Sequence, residues 1–202
     1  MNTNSVERRA LTGLEFRAAE DGKPATLRGY AAVFNKPSLD LGGFIEVVRK
    51  GAFSRALSDG SEILALAHHD TRLVLARRSA GTLTLTEDDV GLLVEIKLAE
   101  TSHARDVAED VRARNIEGMS FGFVTRRDAW TAGENGQPDV RELLDVELIE
   151  VSPVAIPAYP DTSIATRSRP SKPAPEAKSE NDPAVMRRLN GLRIRLLETL
   201  PS

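Results

Sequence analysis

Residues 118–122 read Gly-Met-Ser-Phe-Gly, a G-x-S-x-G pentapeptide, and they decide which fold the chain cannot have. In α/β-hydrolases this motif is the nucleophile elbow, and the triad follows in the order Ser, acid, His. Here all three histidines, His68, His69 and His103, precede Ser120. That order is impossible, and the alternation of strands and helices which that fold needs is also missing. Two readings are left. Either the pentapeptide is a glycine-rich strand start packed on a helix, or Ser120 is a nucleophile used in the order His, Ser, acid on another fold. Triads recur on unrelated folds and are recognised by roles rather than by chain order. A serine nucleophile needs a base within hydrogen-bond reach. Flanking glycines admit a substrate and leave room for an oxyanion site, so Gly118, Phe121 and Gly122 are the substrate-proximal candidates.

Outward from the pentapeptide, strands dominate. Ala104, Val107, Ala108 and Val111 follow helical spacing, with Thr101 or Ser102 as N-cap. Gly118 ends that segment, and residues 119–125 read as a strand. Residues 132–138 (AGENGQP) carry the turn residues of a hairpin loop, and residues 140–154 return as a long strand. Upstream, residues 14–18, 26–34, 44–48, 62–69 and 73–76 read as strands, with a short helix over 52–57. Residues 82–86 and 92–98 flank a turn and form a hairpin. Many short strands with one or two helices predict a mainly β, α+β domain built on a closed or partly closed β-barrel.

Two carboxylate and histidine positions stand out. Along residues 144–152, strict alternation points Leu144, Val146 and Leu148 one way, and Asp145 and Glu147 the other. Glu150 then falls on the apolar face, where an unpaired charge is costly. It is either a strand end that has reached solvent or an acid that orients a histidine. His68 and His69 close the run Ile63-Leu64-Ala65-Leu66-Ala67. As consecutive strand residues their rings point to opposite faces, so they do not share one ion. His103 adds no metal-ligand spacing, and no metal or cofactor is expected.

Composition sets the frame. The chain has 202 residues, a net charge of −3 and no cysteine, which removes disulfides, thiolate catalysis and cysteine-ligated zinc. Mixed charge gives no nucleic-acid or membrane footprint. There is no signal-peptide h-region and no apolar run near the ~20 residues of a membrane span, so a soluble, intracellular product is expected. Residues 1–13 read as an N-terminal arm and 14–166 as the folded domain. Residues 167–183, rich in Pro, Ser, Lys and Glu, read as a disordered linker. Residues 184–202 carry helical spacing behind the N-cap Asp182 and Pro183.

Taken in order, HHD (68–70), LVLARRSAGTLTLTEDDVGLLVEIKL (73–98), GMSFGF (118–123) and LIEVSPVAIPAYPDTS (148–163), with LRGYAAVFN (27–35) ahead of them, resemble the prohead maturation proteases of tailed bacteriophages. The resemblance spans roughly residues 14–165. It implies a serine endopeptidase with the fold of the herpesvirus assemblins, a β-barrel surrounded by helices. It implies Ser120 as nucleophile, His69 as base and Glu150 as third member, where assemblins use a second histidine. The arginine pair that assemblins place after the third member has no counterpart before Arg167, which leaves backbone N–H groups near Ser120 as oxyanion donors. The implied substrates are the scaffold protein or scaffold segment, the major capsid protein, and the chain itself. The implied place of action is the inside of the immature capsid in the host cytoplasm, with a homo-oligomer possible. A non-catalytic capsid-assembly protein that kept the fold is the rival reading.

Overall fold

The computed structural model describes residues 5–18 and 24–155. The linker and helix expected beyond residue 166, and the second half of the 148–163 motif, lie outside the described residues.

In chain order the elements are β1 (Glu7–Thr12), β2 (Glu15–Arg17), β3 (Thr26–Val33), β4 (Phe44–Val48), α1 (Ser54–Ser58), β5 (Leu64–Ala67), β6 (Asp70–Arg77), β7 (Leu83–Glu87), β8 (Gly91–Lys97), α2 (Ser102–Arg112), β9 (Gly118–Thr131) and β10 (Asp139–Val154). The domain is mainly β with two helices among the described residues, as the sequence predicts. The strands form two sheets. One is antiparallel, in the order β2-β3-β8-β7. The other is mixed, in the order β1-β9-β10-β5-β6, with β4 also on β10. Among the described residues no ladder joins the two sheets, and they pack through side chains: Leu27, Leu92, Val94 and Ile96 meet Phe121, Phe123, Leu148 and Val151 in one core.

β10 organises the mixed sheet. One edge runs antiparallel to β9 over its whole length. The other is shared: residues 139–143 pair in parallel with β4, and Glu150 and Val151 with β5. Between them α1 covers the edge, with the Val146 N–H donating to Ala52 O at 3.0 Å and Arg55 Nε at 3.1 Å from Asp145. The strand is not the regular alternation read from sequence. Extra residues at Leu144 and Ile149 break the register against β9, as β-bulges do. Leu143, rather than Leu144, is therefore buried in the core beside Val146 and Leu148.

The helix α2 is capped as predicted, with Thr101 Oγ1 accepting from the Ala104 N–H at 3.4 Å. Ala104, Val107, Ala108 and Val111 form its buried face. Residues 7–12, read above as part of an arm, form β1 and pair along β9 from Phe123 to Gly118. This strand carries no apolar alternation because charge holds it. On its core-facing side, Glu7 accepts from Arg141 Nη1 at 2.6 Å and from Thr125 Oγ1 at 2.7 Å. Arg9 Nε donates to Glu46 Oε1 at 2.7 Å, and Arg141 also reaches Glu46 at 3.2 Å and Asp128 at 2.7 Å. Arg141 is 2% exposed and Glu46 3%. Burial pushes the Glu7 carboxyl up, but the hydrogen bond and charge of Arg141, with help from Thr125 and Arg9, outweigh it and hold it below the usual glutamate range.

Because that value is depressed in the folded state, the stabilisation is present above the ordinary glutamate range and is lost as pH falls through it. Arg141→Met removes one of the two guanidinium groups that the buried carboxylates of Glu7 and Glu46 share, leaving Arg9 to face both. It is expected to lower the unfolding free energy by about 3–5 kcal/mol at pH 7, measured by urea denaturation, and the deficit should shrink in acid as the carboxylates protonate.

Candidate active site

β9 sorts its side chains by parity. Met119, Phe121 and Phe123 enter the core, where the Phe121 ring lies 5.4 Å from Phe53 and 5.0 Å from Phe123, centroid to centroid. Gly118, Ser120 and Gly122 take the other face. Phe121, expected beside Ser120 on the substrate-proximal side, instead faces the core away from Ser120: the residue is 1% exposed and packed in an aromatic stack. The register then aligns the face row by row. Ser120 stands between Ala10 on β1 and Ser152 on β10, and Gly122 between Arg8 and Glu150. Directly opposed side chains of an antiparallel pair share a face, with Cβ atoms ~5 Å apart.

Glu150 reaches this face through the bulge. Leu148 pairs with Phe123 and Glu150 with Gly122, with Ile149 as the extra residue between them. The two side chains therefore point to opposite sides. This corrects the parity reading, which put Glu150 on the apolar face with Leu148 and set Glu147 opposite it. Glu147 pairs with Val124 on the Ser120 side, and its carboxylate bonds Arg126. Glu150 is buried at 5% exposure yet fully engaged. Its Oε1 lies 2.6 Å from His69 Nδ1 and its Oε2 accepts from Ser152 Oγ at 2.5 Å. Arg8 Nε lies 3.7 Å from Oε1.

His69 does not sit in a strand. β5 ends at Ala67 and β6 begins at Asp70, so His68 and His69 are the two central residues of a tight hairpin turn. Their φ values are 53° and 63°, positive at both positions as type I′ hairpins require, and histidine is among the residues enriched in that region. The turn is pinned to β10. The His68 N–H donates to Pro153 O at 3.1 Å, and the His69 N–H to Ser152 Oγ at 3.3 Å. His68 is exposed and His69 half-buried, so the two rings differ in environment for a reason other than strand parity. His103 stands apart, its Nε2–H donating to the Val74 carbonyl at 2.9 Å. Among the described residues no cluster of acidic and histidine side chains fits a metal ion, and no helix is long and apolar enough to cross a membrane.

An ionised carboxylate can only accept, so Nδ1 of His69 carries a proton, and in the neutral imidazole Nε2 is then the nitrogen with the lone pair. That is the tautomer of a general base. The expected backbone oxyanion donors fare less well. Residues 118–123 pair on both edges, with β1 and with β10, so their N–H groups belong to sheet ladders. Sequence reasoning missed Arg8 and Ser152. Arg8 lay in a segment read as an arm, and Ser152 became visible only with the register of β10.

A buried carboxylate bonded to a histidine, on the sheet face that carries a glycine-flanked serine, is the arrangement that serine hydrolases use. The chain belongs to the caudovirus prohead serine protease family, whose model matches residues 12–176. The prohead protease of Enterobacteria phage HK97 is 29% identical over 155 residues, which cover 75% of this chain and 64% of that protein. The chain thus spans a little under two thirds of that relative's length. The capsid assembly protease of bacteriophage T4, a solved structure, is 12% identical with a TM-score of 0.45, covering 72% of this chain and 98% of that one.

Gly122 has a steric reason to lack a side chain. A Cβ there would overlap Glu150 Oε1 and stand 3.1 Å from Cδ and 3.2 Å from Cγ. The carboxylate cannot yield freely, because His69 and Ser152 hold its two oxygens. Gly122→Ala is expected to push Glu150 off His69 and lower Ser120 reactivity by about 10²-fold, the scale of a 1 Å misplacement. The check is the rate of labelling by a fluorophosphonate, beside a circular dichroism spectrum that stays like that of the unchanged protein.

Proposed function

We propose that the chain is a serine endopeptidase that acts by acyl transfer, with Ser120 as nucleophile, His69 as base and Glu150 as the acid that orients it. The observation that carries this reading is the 2.6 Å contact of His69 Nδ1 with Glu150 Oε1, made on the sheet face of Ser120. Proximity has a second support. The residue opposite Ser120 is Ser152, and its hydroxyl accepts the N–H of His69 itself.

In the proposed reaction His69 Nε2 takes the Ser120 hydroxyl proton as Oγ attacks the peptide carbonyl. Glu150, accepting from Nδ1–H, stabilises the imidazolium that forms. The imidazolium then gives its proton to the leaving amine as the C–N bond breaks. Water, deprotonated by the same nitrogen, hydrolyses the ester and restores the serine. With family membership established, the proposed substrates are the major capsid protein and the scaffold protein or scaffold segment in the prohead. The chain's own residues 167–183, rich in Pro, Ser, Lys and Glu, are a further candidate substrate.

A fluorophosphonate should form its adduct on Ser120, located by peptide mass mapping, and Ser120→Ala should remove both adduct and cleavage. Loss of one oxygen beside two glycines takes little from the packing. An adduct elsewhere, or cleavage by a folded Ser120→Ala protein, would overturn the assignment. His69→Ala should be nearly as damaging, while His68→Ala, exposed at the turn, should keep most activity. Glu150→Gln should cost up to ~10⁴-fold, as loss of the acid does in serine proteases. Intact mass after long incubation should show the wild type, but not Ser120→Ala, shortened within or near residues 167–183.

A further inference from the structure

Ser152 is fully buried, with 0% of its surface exposed, and faces Ser120 across the β9–β10 ladder. Its hydroxyl joins two groups that would otherwise be positioned independently. The O–H donates to Glu150 Oε2 at 2.5 Å, within the range of charge-assisted O–H···O⁻ bonds. The same oxygen accepts the His69 N–H at 3.3 Å. The carboxylate is thus held at both ends, by His69 at Oε1 and by Ser152 at Oε2. The turn that carries the base is fastened to the residue that fastens the acid. Gly122 opposite Glu150 offers no side chain for this purpose.

We propose that Ser152 is a positioning residue for the proteolytic reaction. It locks the Glu150 carboxylate and the His69 main chain into one unit, and it draws negative charge toward Oε2, which moderates the pull of Oε1 on the His69 proton. This rests on reading Ser120, His69 and Glu150 as a working triad. The other charged groups near the pair are accounted for. Arg8 on β1 lies 3.7 Å from Glu150 Oε1 and is half exposed. Asp70, next to His69 in sequence, is engaged by Arg72, with Nη2 at 2.7 Å. Glu147 on β10 is bonded to Arg126.

Without the Ser152 hydroxyl, Oε2 is buried with no donor from that side, and charge gathers on Oε1. Protonated His69 is then favoured over neutral His69, and the carboxylate gains freedom to rotate. Ser152→Ala is therefore expected to lower kcat by about 10- to 100-fold, to leave KM near its original value, and to move the acid limb of the rate profile to higher pH. Ser152→Thr, which keeps the oxygen, should return the limb toward its original position.

The deciding measurement needs no turnover. In full-length Ser120→Ala protein, the His69 ring proton is followed by NMR as pH is varied, with and without Ser152→Ala. A titration displaced to higher pH supports the inference. An unmoved or oppositely moved titration overturns it, even if activity falls, because a purely structural role would lower activity alone. If Ser152→Ala fails to fold, Ser152→Cys, near in size and a weak donor, takes its place with the same expected direction. Failure of Ser120 to react with a fluorophosphonate would instead sink the protease reading and leave the titration result standing.

Discussion

One extra residue in β10 governs the arrangement of the site. With Ile149 inserted opposite the β9 ladder, Leu148 can enter the aromatic core while Glu150, two positions later, turns to the other face. Regular alternation would force both to the same side. A carboxylate would then sit among Phe121, Phe123 and Leu148, where burial without a partner is prohibitive. Everything else on the face follows from this shift: the contact with His69, the bond from Ser152, and the need for glycine at position 122.

The mixed sheet keeps charge on both of its faces by two different means. On the core side, three carboxylates and two guanidinium groups join β1, β4, β9 and β10. Such a cluster is costly to desolvate and costly to break, so it fixes which strands meet more than it adds net stability. On the Ser120 side the Glu150 carboxylate is shared among a ring nitrogen, a hydroxyl and a more distant guanidinium. The first arrangement docks β1 against β9. The second ties the turn of His69 to β10.

The sequence made some of this legible and hid the rest for physical reasons. The strand Phe44–Val48 and the Thr101 cap were readable because local propensity and tertiary structure agree there. The His68-His69 turn was not, since an apolar run leads into it and neither residue is the usual Asn or Gly of such turns. Glu150 was singled out for its place on an apolar face, and it is the histidine's partner for the opposite reason. The bulge leaves no mark in LDVELIEVSPV, because alternation reads continuously across it. β1 was invisible because Glu7 and Arg9 face buried charges rather than apolar side chains, and Arg141 reads as a surface residue until its four partners are known.

The place of β10 sets the order in which the mixed sheet is assembled during synthesis. β4 and β5 reach β9 only through β10, the last strand described. A nascent chain that stops before residue 139 already carries Ser120 and His69, but it lacks both Glu150 and the strand that pairs with β5 and β9. Its earlier strands must wait, unpaired on those edges, for β10, a non-local order of assembly that slows folding. The ribosome therefore completes Ser120 and His69 before the strand that carries Glu150, so the face they share is assembled only once β10 is in place.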